Sequence, residues 1–168
     1  MKKLYDKVYK DCKRVHEQIV RFASPRSLAS TTTVHCCQLT KDGLRAMEHN
    51  GVKGLLGLFG TKEKPRTSYG IDECGAARIR SGEILQIGNI SFASIDIVLN
   101  CFSTEDILQR MHQREGIRVM IHEQYFYADY YMYQPEFEQK LRSAFAFLRE
   151  NGYQSCFYED LPAEMPCF

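Results

Sequence analysis

The chain has 168 residues, 44% of them hydrophobic and 26% charged, with a formal net charge of +1. This is the size and composition of one globular domain, expected over residues 1–168, that needs no disulfide or metal to hold its core. The near-neutral balance argues against nucleic acid and membrane as partners, and no apolar run approaches the roughly 20 residues of a membrane span.

The first helix is predicted over 2–22, where Leu4, Val8, Cys12, Val15, Ile19 and Phe22 recur every three or four residues; Ser24-Pro25 ends it. Its charged start has no apolar core of the kind a secretion signal carries. "TTTVHC" (31–36) is β-branched and reads as a strand. "TKDGLRAMEHNG" reads as a helix capped by Thr40 and stopped by Asn50-Gly51, and "VKGLLGLF" (52–59) as the next strand. Strand, helix and strand in that order form a parallel βαβ unit.

Residues 60–70 read as a loop and 71–82 as a short helix weakened by Gly75. Residues 83–100 read as two strands about the hairpin turn Gly88-Asn89. "STEDILQRMHQREG" is a helix with Ser103 or Thr104 as cap, acids in its first turn and Gly116 as stop. "IRVMIH" (117–122) reads as a central strand, because it leans apolar. The strongest helix is "QPEFEQKLRSAFAFLRENG", with Pro135 at its first position and Phe137, Leu141, Ala144, Phe145 and Leu148 on one face. "YQSCFYED" (153–160) reads as a last strand. The alternation defines an α/β fold of mostly parallel strands with one hairpin.

The seven cysteines are odd in number and form no C-x-x-C pair, which favours neither a disulfide framework nor a zinc knuckle. They read as reduced thiols of a cytoplasmic protein. Cys12, Cys101 and Cys156 lie in apolar segments, as small hydrophobes do. Cys36 and Cys37 beside His35 form a nucleophile candidate.

In parallel α/β folds, sites form beyond the carboxyl ends of the strands. His35 and His122 end two predicted strands, and Asp96 lies on a third; these three are the candidate catalytic residues. Glu123, Tyr125, Tyr127 and Tyr130 follow His122 and are the candidate substrate-binding residues. Tyrosine suits sugars, since its face stacks on C–H groups and its hydroxyl bonds to sugar hydroxyls. Each candidate also has a structural reading: a satisfied histidine, an aspartate paired with an arginine, tyrosines covering the next helix. No G-x-S-x-G elbow and no phosphate loop occurs.

The tail "IRVMIHEQYFYADYYMYQPEFEQKLRSAFAFLRENGYQSCFYEDL" resembles the last strand, loop, helix and strand of the NodB-type polysaccharide deacetylase family. Met120-Ile121-His122 stands where that family has Leu-x-His, and "TTVHCCQLTKDGLRAMEHNGVKGLLGL" is similar to an earlier unit. The resemblance covers roughly residues 5–161. It implies a distorted (β/α) barrel, of which this chain is the C-terminal part, and metal-dependent hydrolysis of the C–N bond of an N-acetylated sugar. His122 is then the general acid, and zinc the implied cofactor. The family's Asp-Asp pair and H-x-x-x-H motif are absent from the chain. Only His35, His122, Asp96 and Glu123 remain as metal donors, so the residues themselves assign no metal.

The expectation is therefore a deacetylase-like domain, catalytically incomplete, with a carbohydrate-type pocket around His122. The alternative is a non-enzymatic interaction module using the tyrosine-rich loop 125–133. An opened barrel leaves a strand edge bare, which predicts a homodimer.

Overall fold

A computed structural model describes residues 2–61, 64, 66 and 68–160, without the side chains of Lys2 and Glu159. Cys167 lies outside the described residues. The chain divides into two compact units: the described residues of Met1–Ser94 with Phe157–Phe168, and Ile95–Cys156.

In the first unit, α1 (Lys2–Ala23) leads to β1 (Thr31–Thr32), α2 (Lys41–Glu48) and β2 (Gly54–Gly57). Thr31 pairs with Gly54 in parallel register, so the predicted βαβ unit forms. Thr40 caps α2 by accepting from the Gly43 amide. Gly54 is required by close approach, since a Cβ there would lie 2.6 Å from Thr31 Oγ1. Next come α3 (Glu73–Arg80), capped by Asp72, and the hairpin of β3 (Leu85–Ile87) and β4 (Ile90–Ser94). Ile87 faces Ile90 across Gly88-Asn89, and Gly88 supplies the positive φ of 62° that the turn needs. The sheet order is β1-β2-β4-β3, with β3 antiparallel. Its core gathers Leu55, Phe59, Tyr69, Ile79 and Phe92, each largely or wholly removed from water. A buried phenylalanine such as Phe92 stabilises the fold by roughly 1.5–3 kcal/mol.

The second unit holds β5 (Ile97–Val98), α4 (Thr104–His112), β6 (Val119–Met120) and α5 (Phe137–Glu150). β5 and β6 pair in parallel. Ser103 caps α4 by accepting from the Asp106 amide, and Ile107 and Met111 point into the core with Leu99, Phe137 and Ala144.

The fold is mixed α/β with mostly parallel strands, and among the described residues neither sheet closes on itself. No described helix is long and apolar enough to cross a membrane.

Several expectations need correction. "TTTVHC" is strand only at Thr31–Thr32; a 3₁₀ turn then occupies His35–Cys37. A distant residue imposes that turn. The Tyr69 hydroxyl donates to Leu56 O at 2.6 Å and accepts from the Val34 amide, and the Tyr69 amide bonds to Cys37 O at 2.8 Å. "IRVMIH" is strand only at Val119–Met120, half-buried in a two-stranded sheet rather than central. Pro135 precedes α5 instead of opening it, and Phe145 is 58% exposed because the helix turns 137, 141, 144 and 148 inward. The last strand is not formed: residues 154–157 are exposed coil followed by a 3₁₀ turn at Tyr158–Asp160. Cys101 and Cys156 are exposed, not packed.

Candidate functional site

Strand register builds the site. Val98 pairs with Met120, and continuing both strands by two residues sets Asn100 beside His122. A 3₁₀ turn at Leu99–Cys101 carries Asn100, and His122 precedes another at Glu123–Phe126. His122 Nδ1 lies 3.0 Å from Asn100 Oδ1. The Asn100 amide nitrogen donates to Cys101 Sγ at 3.5 Å, which assigns Oδ1 as the acceptor facing the imidazole. An amide oxygen only accepts, so Nδ1 is the donor in this contact.

The network continues from Asn100. Its backbone carbonyl accepts from Gln134 Nε2 at 3.0 Å, and Gln134 Oε1 accepts from Lys140 Nζ at 3.1 Å. Lys140 also pairs with Glu136 at 3.2 Å. Lys140 lies on the inner face of α5 and is only 7% exposed, and these partners satisfy its ammonium. The Glu136 carboxyl is held below the usual carboxylate range, first by its own backbone amide and then by Lys140. Asn100, Cys101, Phe102, Ser103, Thr104, Glu136 and Lys140 together line an open concavity of about 400 Å³. It offers an amide, hydroxyls, an ammonium, a carboxylate and one aromatic ring, within the size range of small-ligand sites.

The sequence candidates divide between several places. His122 is tied to this pocket through Asn100. Tyr125 is 8% exposed and part of the core, its ring against His122, Tyr130 and Phe137. Tyr130 is half-buried, and its hydroxyl is pushed above the ordinary tyrosine range, first by its bond to Tyr131. Glu123 and Tyr127 are exposed, and no tyrosine lines the pocket. Asp96 sits at the other end of the strand pair. Its side chain is fully buried, with one oxygen 2.8 Å from Arg114 Nη1 and the other 3.1 Å from Arg118 Nε and 2.9 Å from the Arg118 amide. It lies four positions before Asn100, with β5 (Ile97–Val98) between them. The fold thus uses Asp96 to pin the start of β5 to β6 and does not bring it to His122.

His35, in the first unit, is exposed at the head of its 3₁₀ turn. The adjacent Cys36 is exposed and Cys37 buried, both at positive φ. Among the described residues, no three His, Cys, Asp or Glu side chains converge on a metal position. Zinc requires three or four such donors, so the residues present do not fit the ion that the resemblance implies.

Sequence reasoning missed Asn100, Gln134, Glu136 and Lys140. Lys140 carried a signal: it stands at helical spacing between Phe137 and Ala144, on a face that is otherwise apolar. The amide pair had none, because it depends on register between distant strands.

Comparison with family models, with curated proteins and with solved structures returns no match.

Proposed function

We propose that the chain is a deacetylase-like domain, akin to part of a distorted (β/α) barrel, that binds a carbohydrate without hydrolysing it. The observation that carries this reading is the Asn100 bridge, which joins His122 to a pocket holding both donors and acceptors. Sugar hydroxyls need both kinds of partner. Asn100, Thr104 and the Lys140–Glu136 pair would take them, and Phe102 would meet a C–H face. Hydrolysis lacks its means: the acidic pair is absent, and Asp96 is already occupied by two arginines. The test is calorimetric titration with N-acetylglucosamine oligomers beside an acetate-release assay with added zinc. Binding without release supports the proposal; release abolished by His122→Ala would replace it with an active hydrolase.

A second reading has its own observation. Tyr131 is 85% exposed and Tyr127 57%, with Met132 and Tyr133 beside them. Such a patch suits an interaction module docking a protein through the tyrosine loop. Tyr131→Ala would then weaken partner binding and leave sugar binding unchanged.

A further inference from the structure

α1 is 22 residues long, roughly 33 Å, whereas the α2 helix it packs on has 8 residues and spans roughly 12 Å. The contacts lie in the first half of α1. Tyr5 bonds to His49 at 2.6 Å, Asn50 donates to Tyr9 O at 3.2 Å, and Val8 and Cys12 pack on the core. Beyond them the cover of the apolar stripe is partial: Ile19 is half-buried, but Val15 is 56% exposed and Phe22 77%. In this half Glu17 is paired with Lys13, while among the described residues Arg14 and Arg21 have no carboxylate partner, and the Arg21 guanidinium lies 5.1 Å from the centre of the Phe22 ring.

The tyrosine loop is the complement. Between Arg118 and Lys140 the chain carries Glu123, Asp129, Glu136 and Glu138 and no lysine or arginine. Glu136 and Glu138 are paired with Lys140 and Arg142, which leaves Glu123 and Asp129 as the loop's other carboxylates, near in sequence to the exposed Tyr127 and Tyr131. Among the described residues, one surface has apolar side chains with two cations that no carboxylate neutralises, and the other has apolar side chains with two anions that no cation neutralises.

We propose that the tyrosine loop of one chain docks on the second half of α1 of another, and that the exchange is reciprocal in a two-fold homodimer. Charge decides the occupant. Two α1 helices laid together would oppose arginines to arginines, and two loops would oppose carboxylates. Pairing α1 with the loop joins opposite signs and covers both apolar patches. Open strand edges are a poorer route, since β1 and β3 span only two and three residues. The proposal names an occupant for the loop of the second reading. It is independent of the pocket, so sugar binding by the wild-type chain can fail or succeed separately.

The test is light scattering behind a sizing column at about 50 μM, with two surface variants, Arg14→Glu with Arg21→Glu and Glu123→Lys with Asp129→Lys. Wild type is expected at twice the 19.5 kDa chain mass. Each variant alone is expected to be monomeric, with its dimer weakened at least roughly tenfold. Their equimolar mixture is expected to dimerise again, because both contacts then join opposite charges. Recovery in the mixture also shows that both variants are folded. A monomeric wild type, a dimer indifferent to both variants, or a mixture that stays monomeric would each overturn the proposal.

Discussion

Asn100 holds the imidazole of His122 at 3.0 Å, Nδ1 to Oδ1, and does so because β5 and β6 run parallel in the register Val98 to Met120. The bond orients the imidazole and ties His122 to the pocket wall. Asn100→Ala removes the acceptor and a lining side chain together. It should lower stability by about 1 kcal/mol, the usual worth of one such bond. Sugar binding should fall at least roughly tenfold, a cost of about 1.4 kcal/mol. Urea unfolding and calorimetry read the two effects separately; unchanged sugar affinity would detach His122 from the site.

Asp96→Asn keeps the shape and removes the charge between Arg114 and Arg118. Removing one partner of a buried pair costs roughly 3–5 kcal/mol. Both arginines keep some access to water, so the low end of that range is expected. The measurement is the urea midpoint. A change under about 1 kcal/mol would mean that Asp96 does not pin the strands.

Lys140→Met conserves volume and removes the ammonium. Glu136 is solvated and loses little, so stability should change by about 1 kcal/mol or less, while sugar binding should drop sharply. A protein that unfolds on this change would place Lys140 in the core's support instead of the pocket's function.

Much of the fold was legible locally. Thr40 and Ser103 cap their helices through their own sequence neighbours, and Gly88-Asn89 closes its hairpin for the same reason. The failures were non-local. The His35–Cys37 turn depends on Tyr69, and no spacing near His35 reports that contact. Asn100 and His122 lie 22 positions apart and meet only through strand register. The tyrosines looked alike in sequence, yet burial separates Tyr125 in the core from Tyr131 at the surface. The resemblance to the deacetylases drew attention to His122 but said nothing of Asn100.

Tyr69 gives the fold a pH dependence at the alkaline end. Burial pushes its hydroxyl well above the ordinary value of 10.0. Below pH 10 the group is protonated in both states, and its contribution to stability is complete. Above pH 10 the unfolded chain releases the proton while the folded chain still holds it, so stability falls as pH rises. Tyr69→Phe should be less stable near neutrality, having lost the bond to Leu56, but should show a shallower decline above pH 10. Equal slopes for both proteins, by urea unfolding across pH 9 to 11, would contradict this assignment.

Calorimetric titration of the wild-type chain with an N-acetylglucosamine tetramer, run beside Asn100→Ala and Lys140→Met, tests the central claim most directly. The account predicts saturable binding by wild type, weakening of at least roughly tenfold in both variants, and no acetate released over hours with zinc present. Absence of binding, or binding that both variants leave intact, would contradict a carbohydrate pocket beside His122.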